Sequence, residues 1–210
     1  MKKADKITAE ELLAELQADP KWVAEQQERE QALRQRTAAY QKAEAPLVEA
    51  LNRAGVVVAS VWDLVNTRAP YPTAVPVLLE HLTRTYPERV REGIARALAV
   101  PEARIGWSTL LQAFREETDK TTVGPKWAIA LALGAAGTDA VLDDVIALLR
   151  DKSLGENRAP LLATLARSRD PRAHKLLEEL RDDAAIGHDV KKVLRKLRNK
   201  NQVNVSDLSQ

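Results

Sequence analysis

A chain of 210 residues with 32 Lys and Arg against 30 Asp and Glu carries a net charge of +2, which excludes a uniformly basic nucleic-acid binder and a strongly acidic mimic. The absence of cysteine excludes disulfides and thiolate metal sites, so stability must come from packing, and a cytoplasmic location is expected. No apolar run approaches the ~20 residues of a membrane span, the longest being Trp127 to Ala136, and the basic start at Met1 to Lys6 leads into Glu10, Glu11 and Glu15, not into a signal-peptide core.

Residues 1–55 read as an N-terminal helical cap or arm. Thr8, Ala9, Glu10 and Glu11 form a capping-box pattern ahead of Leu12, Leu13 and Leu16. Asp19 and Pro20 cap a second, longer helix predicted to run toward Ala45. Its apolar stripe is thin, limited to Trp22, Val23, Leu33 and Tyr40, and no heptad is sustained long enough for a coiled coil. Pro46 is expected to interrupt this helix, Leu47, Val48 and Leu51 to resume it, and Gly55 to end it. Ser60 to Asp63 then predicts a short capped helix.

From residue 56 to 200 one buried pattern recurs: apolar residues at i, i+3, i+4 and i+7, which share one stripe of an α-helix. The quartets are Val75, Leu78, Leu79, Leu82; Trp107, Leu110, Leu111, Phe114; Leu142, Val145, Ile146, Leu149; and Ala173, Leu176, Leu177, Leu180. Their first members stand 32, 35 and 31 residues apart, a spacing that predicts repeated helical hairpins. Between successive quartets lies a further helical segment, predicted at Val90 to Leu98, Lys126 to Ala136 and Arg158 to Arg167, so that each unit is a helical hairpin. Trp127 to Leu133 is apolar all round, as expected of a helix covered on several sides. A fifth quartet, Val190, Val193, Leu194 and Leu197, sits among Lys191, Lys192, Arg195, Lys196 and Arg198, the composition of a terminal cap. Residues 201–210 are expected to be a flexible polar tail.

Three stretches between these helices, Leu133 to Leu142 (LGAAGTDAVL), Ala166 to Ala173 (ARSRDPRA) and Pro72 to Leu79 (PTAVPVLL), resemble the turns of short bacterial HEAT repeats. The resemblance covers residues 57–200 and implies an all-α fold, a right-handed α-solenoid of HEAT-like helical hairpins. The period is shorter than the ~40–47 residues of longer HEAT units and nearer the ~34 of tetratricopeptide repeats. The turn chemistry stands on its own. Asp170 and Pro171 suit an N-cap and first helical position, and Gly137 is expected to close its helix in the left-handed conformation.

No phosphate-binding glycine loop, nucleophile elbow or His-Glu-x-x-His motif is present. No catalytic residue, metal ligand or cofactor is therefore assigned. His81, His174 and His188 fall on different predicted helices without a ligand partner at helical spacing, and each is expected to be a partly exposed surface histidine. Adjacent carboxylates such as Glu116 and Glu117, Asp143 and Asp144, or Glu178 and Glu179 point about 100° apart on a helix and read as solvated faces. Some HEAT-like proteins are DNA glycosylases; Trp107 and Trp127 read as core here, Trp62 beside Asp63 is open, and no glycosylase motif matches residue by residue.

In HEAT-like stacks the second helix of a pair lines the concave face. The positions opposite the quartets would then share one surface: Glu80, Arg84, Gln112, Glu116, Asp144, Asp151, Lys175, Glu178 and Asp182. Six are acidic and two basic, a balance that repels a phosphate backbone and suits a basic segment of a protein partner. The expected function is thus a non-catalytic scaffold or adaptor. The alternative is nucleic-acid binding through the basic end, where residues 153–210 hold 12 Lys and Arg against 8 Asp and Glu.

Overall fold

The computed structural model describes residues 8–118 and 121–207, with side chains for all of these except 11, 12 and 200–207. Every regular element among them is helical. By internal contact the chain divides into two units, one up to Lys42 and one from Ala43 onward.

The first unit holds α1 (Ala9–Ala18) and most of α2 (Pro20–Arg53). Helix α1 begins directly after Thr8, and the Asp19 carboxylate accepts the Lys21 amide at 2.9 Å, capping α2. The expected interruption at Pro46 does not occur. Helix α2 runs through it to Arg53, because exposed Pro46 loses only one backbone bond while Leu47 and Leu51 beside it are completely buried. A mid-helix proline costs about 3 kcal/mol, and burying two leucines offsets this at about 1.5–3 kcal/mol each. Gly55 then ends α2 at φ +82°, a left-handed conformation that favours glycine, and the Val56 amide reaches back to the Leu51 carbonyl.

In the second unit Ser60 caps α3 (Val61–Asn66) through a complete capping box with Asp63. Buried Glu44 accepts from the Ser60 hydroxyl at 3.1 Å and the Val61 amide at 3.3 Å, tying the end of α2 to the start of α3. There follow α4 (Ala74–Leu82), α5 (Glu88–Ala97), α6 (Trp107–Glu116), α7 (Pro125–Ala136), α8 (Leu142–Arg150), α9 (Leu162–Arg167), α10 (Pro171–Glu179) and α11 (Gly187–Asp207). Segments of 3-10 helix precede α6, α8 and α9, the last of them, Lys152–Leu161, broken in two by a kink at Gly155. The segment expected as a tail is helical as far as Asp207; residues 208–210 lie outside the described residues.

Helices α3, α5, α7, α9 and α11 are neighbours in that order, while α4 lies on α5 and α6, α6 on α7, and α10 on α8 and α9. Small residues allow the closest approaches. A Cβ on Gly134 of α7 would collide with the Pro160 carbonyl, and one on Gly137 with the Thr164 hydroxyl. This corrects the reading of Gly137. Its backbone is extended (φ −62°, ψ 137°), and the last carbonyls of α7 are capped by the Arg167 guanidinium, which donates to those of Gly134, Ala135 and Gly137 at 2.6, 3.1 and 3.2 Å. Glycine is required there for room, not for a left-handed turn.

The quartets on α4 and at Ala173 to Leu180 are buried throughout. Two others are corrected in part. On α8 the buried residues are Leu142, Val145, Leu148 and Leu149, with Ile146 only half-buried; Trp107 is likewise half-buried at the start of α6. The helix is rotated so that Leu148 takes the place expected of Ile146.

Candidate functional site

Arg84, Gln112 and Glu116 come together around a polar pocket of about 300 Å³ between the turn after α4 and the exposed side of α6. Each has a local partner: Arg84 pairs with Glu80 one helical turn back, and the Gln112 amide donates to Glu116 at 2.8 Å. The pocket wall also contains Arg91 and Glu117. Glu117 is buried beyond the end of α6 and forms an ion pair with Arg91, while its carbonyl accepts the Lys126 ammonium at 2.6 Å. That ammonium stands 5.0 Å above the Phe114 ring.

His81, expected at the surface, is buried on α4 at 1% exposure. Its Nδ1 meets the Tyr86 hydroxyl at 2.7 Å and the two rings stack. Desolvation, followed by the Arg84 charge, lowers its pKa, outweighing the opposing effect of Glu80. The histidine therefore closes the core under the α4–α5 turn. His174 and His188 are exposed.

The other predicted residues are spread along α8, α10 and the approach to α11. Asp144 departs most from expectation: it is half-buried and accepts the Trp107 indole N–H at 2.8 Å, bridging α6 and α8. Asp151 caps its own loop, accepting from the Ser153 hydroxyl and amide at 2.6 and 3.0 Å, and these bonds hold its carboxyl below the ordinary aspartate range. Glu178 lies 4.0 Å from Arg181, and Asp182 pairs with Lys191 at 3.0 Å. Lys175 is exposed. Three of the six carboxylates, Glu80, Glu178 and Asp182, therefore already have a cationic partner, which weakens the field the row presents to solvent.

A different feature was missed in the sequence. An open groove of about 570 Å³ lies between α7, α9 and α11, floored by Trp127, Leu131, Ala163, Val193 and Leu197. Trp127 and Leu131 are half-buried, so α7 is not covered on all sides as its composition implies. The physical reason is that α9 and the segment before it bring the small side chains of Ala159, Ala163 and Ala166 to the groove, so the floor is recessed between the larger Trp127 and Leu131 of α7 and Val193 and Leu197 of α11. The signal was present in part: Val193 and Leu197 alternate with Lys192 and Lys196 on one side of the terminal helix. The length of α9 was not legible, because Arg158 to Arg167 carries an ordinary helical pattern that the structure resolves into a 3-10 segment followed by two turns.

Trp62 also departs from a plain core position. It is half-buried, and the Arg89 guanidinium sits 3.9 Å over its ring. Among the described residues no group of three His, Asp or Glu side chains is placed to hold a metal ion, and no helix is long and apolar enough to cross a membrane. Comparison with protein-family models, curated proteins and solved structures gave no match.

Proposed function

We propose that this chain is a non-catalytic scaffold or adaptor, a right-handed solenoid of HEAT-like helical hairpins that holds a protein partner in the cytoplasm. The observation that carries this reading is the groove between α7, α9 and α11. Its floor is apolar and open, and an apolar concavity with a charged rim is costly to keep wet and is stabilised by burying a complementary side chain. The order of neighbours α3, α5, α7, α9 and α11, with α4 alongside α5, α6 alongside α7 and α10 alongside α9, supports the solenoid reading.

A second reading places the partner on the exposed sides of α4, α6, α8 and α10. It is favoured by Glu116, whose carboxylate is matched by the neutral Gln112 amide, and it calls for a basic segment. The third, nucleic acid on α11, draws on exposed Arg195, Lys196 and Arg198.

Site-specific photocrosslinking in cells of the source organism separates the three. A photoreactive residue at exposed Ala163 is expected to yield a discrete protein adduct, and one at Glu116 to yield none. An adduct at Glu116 alone would transfer the site to the acidic row. Nucleic acid crosslinked from either position would reject the protein-binding reading.

A further inference from the structure

We infer that the groove between α7, α9 and α11 is built to take an acidic amphipathic helix of a protein partner. The inference rests on the groove being a protein site and adds the shape and charge of what fills it.

Shape follows from the walls. They are helices whose backbone groups are bonded internally, so the groove offers an incoming chain no ladder of amides and carbonyls. An extended segment laid on Trp127, Leu131 and Val193 would press its own unpaired backbone against apolar carbon. A helix satisfies its backbone by itself and brings only side chains to the contact. The wall from Asp189 to Leu197 is about 12 Å long at 1.5 Å per residue, room for two turns of an incoming helix with anchors at i, i+3 or i+4, and i+7. Ala163 on the recessed floor lets that helix approach closely, and the larger Trp127, Leu131 and Leu197 around it supply the apolar contact.

Charge follows from the rim. Arg167, Lys192 and Lys196 stand there against one carboxylate, Asp189. Lys192 is bonded to that carboxylate at 3.0 Å, and Arg167 donates to the end of α7, which fixes its guanidinium in place without neutralising it. Exposed Lys196 remains on the α11 edge beside Val193 and Leu197. A ligand helix that is apolar toward the floor meets a positive border on both edges, so glutamates flanking its anchors are attracted and lysines repelled. This is opposite in sign to the partner that the acidic row would select.

The test uses the full chain and fluorescence anisotropy with four labelled probes. They are a peptide with leucines at i, i+3, i+4 and i+7 and glutamates between; a peptide of the same composition with the leucines out of helical register; the first peptide with lysine for glutamate; and a single-stranded oligodeoxynucleotide. The first is expected to bind and gain helicity by circular dichroism. Lys196→Glu and Ala163→Glu, both at exposed positions, should each weaken it about tenfold or more. Arg195→Glu makes the same charge change as Lys196→Glu on the same helix but outside the groove lining, and it should change binding by less than about twofold. Equal binding of the scrambled peptide or the oligonucleotide, or an equal loss with Arg195→Glu, would reduce the effect to general attraction of polyanions and overturn the inference. Preference for the lysine peptide would overturn its charge. No binding of any peptide, combined with a protein crosslink at position 163, would overturn the amphipathic-helix inference and leave the groove a protein site of other chemistry.

Discussion

The guanidinium of Arg158 is completely enclosed and meets the Asp183 carboxylate at two points, 2.8 and 3.1 Å, joining the segment before α9 to the turn before α11. Arg158 also donates to the carbonyls of Gly155 and Leu149, both at 2.9 Å, and Asp183 accepts the amides of Ala185 and Ile186 in the turn that leads into α11. One buried pair therefore caps two elements and positions the helix that forms a wall of the groove.

Breaking that pair from one side should be severe. Arg158→Met leaves a buried carboxylate without its cation and is expected to cost about 3–5 kcal/mol, read as a lower urea midpoint. The double variant Arg158→Met with Asp183→Asn should recover part of the loss, since no charge is then stranded. The pair also sets an acid limit. Bonds from Arg158, followed by those from the two amides, hold the Asp183 carboxyl below its ordinary pKa despite burial. The unfolded chain then binds the proton more readily, so this stabilisation is present above the ordinary aspartate value of 3.8 and is lost as pH falls through the folded-state value. Asp183→Asn should flatten the decline of melting temperature over that acid range. An unchanged decline would refute the assignment.

His81 gives a second pH-dependent contribution in a higher window. Its folded pKa lies below the ordinary 6.5, mainly from desolvation, so protonation favours the unfolded chain. Stability is complete above 6.5 and decreases as pH falls toward the folded value. Imidazole resonances followed by NMR should place His81 below the ordinary histidine range. Tyr86→Phe should leave it buried but remove its hydrogen-bond partner, with a loss of about 1 kcal/mol. A His81 that titrates at or above 6.5 would contradict its burial.

The architecture was more legible than the surface, and the residues explain why. Gly55, the Ser60–Asp63 box and the Asp170–Pro171 cap act within four residues, and each was readable from sequence. Pro46 misled because local propensity was overruled by burial of Leu47 and Leu51 on a neighbouring surface. Gly137 misled because its reason lies 27 positions away at Thr164. Asp144 satisfied every sequence criterion for an exposed carboxylate, yet the Trp107 indole on another helix claims it. The groove depends on three helices and on the small side chains that one of them, α9, turns toward it. Periodicity identifies which face of a helix is apolar, but not whether a neighbour's side chains are large enough to cover it.

The rotation of α8 can be tested by substitution. Leu148, buried at 7% exposure, should behave as core, with Leu148→Ala costing about 2–5 kcal/mol. Half-buried Ile146 should lose clearly less on the same change. Asp144→Ala removes the acceptor of the Trp107 indole and should cost about 1 kcal/mol, more than loss of a solvated carboxylate. Urea denaturation of the three variants measures the order. Equal effects at 146 and 148 would restore the register expected from the i, i+3, i+4, i+7 pattern.

The acidic row makes the sharpest contrast with the groove. Glu80, Glu116 and Glu178 are exposed, and their partners are local: Arg84, Gln112 and Arg181. Exposed pairs of this kind contribute about 0–1 kcal/mol, so reversing all three to lysine should preserve helicity and change the melting temperature little. If the groove is the docking site, the triple variant should also keep its affinity for an acidic amphipathic peptide or bind slightly more tightly, because six units of charge change favour an anionic ligand at long range and salt should screen the gain. Lys196→Glu should weaken the same complex in both backgrounds by a similar factor, since the rim lysine acts at contact range. Loss of a protein partner on the triple reversal, with Lys196→Glu silent, would place recognition on α4, α6 and α10 and reject the groove as the principal site.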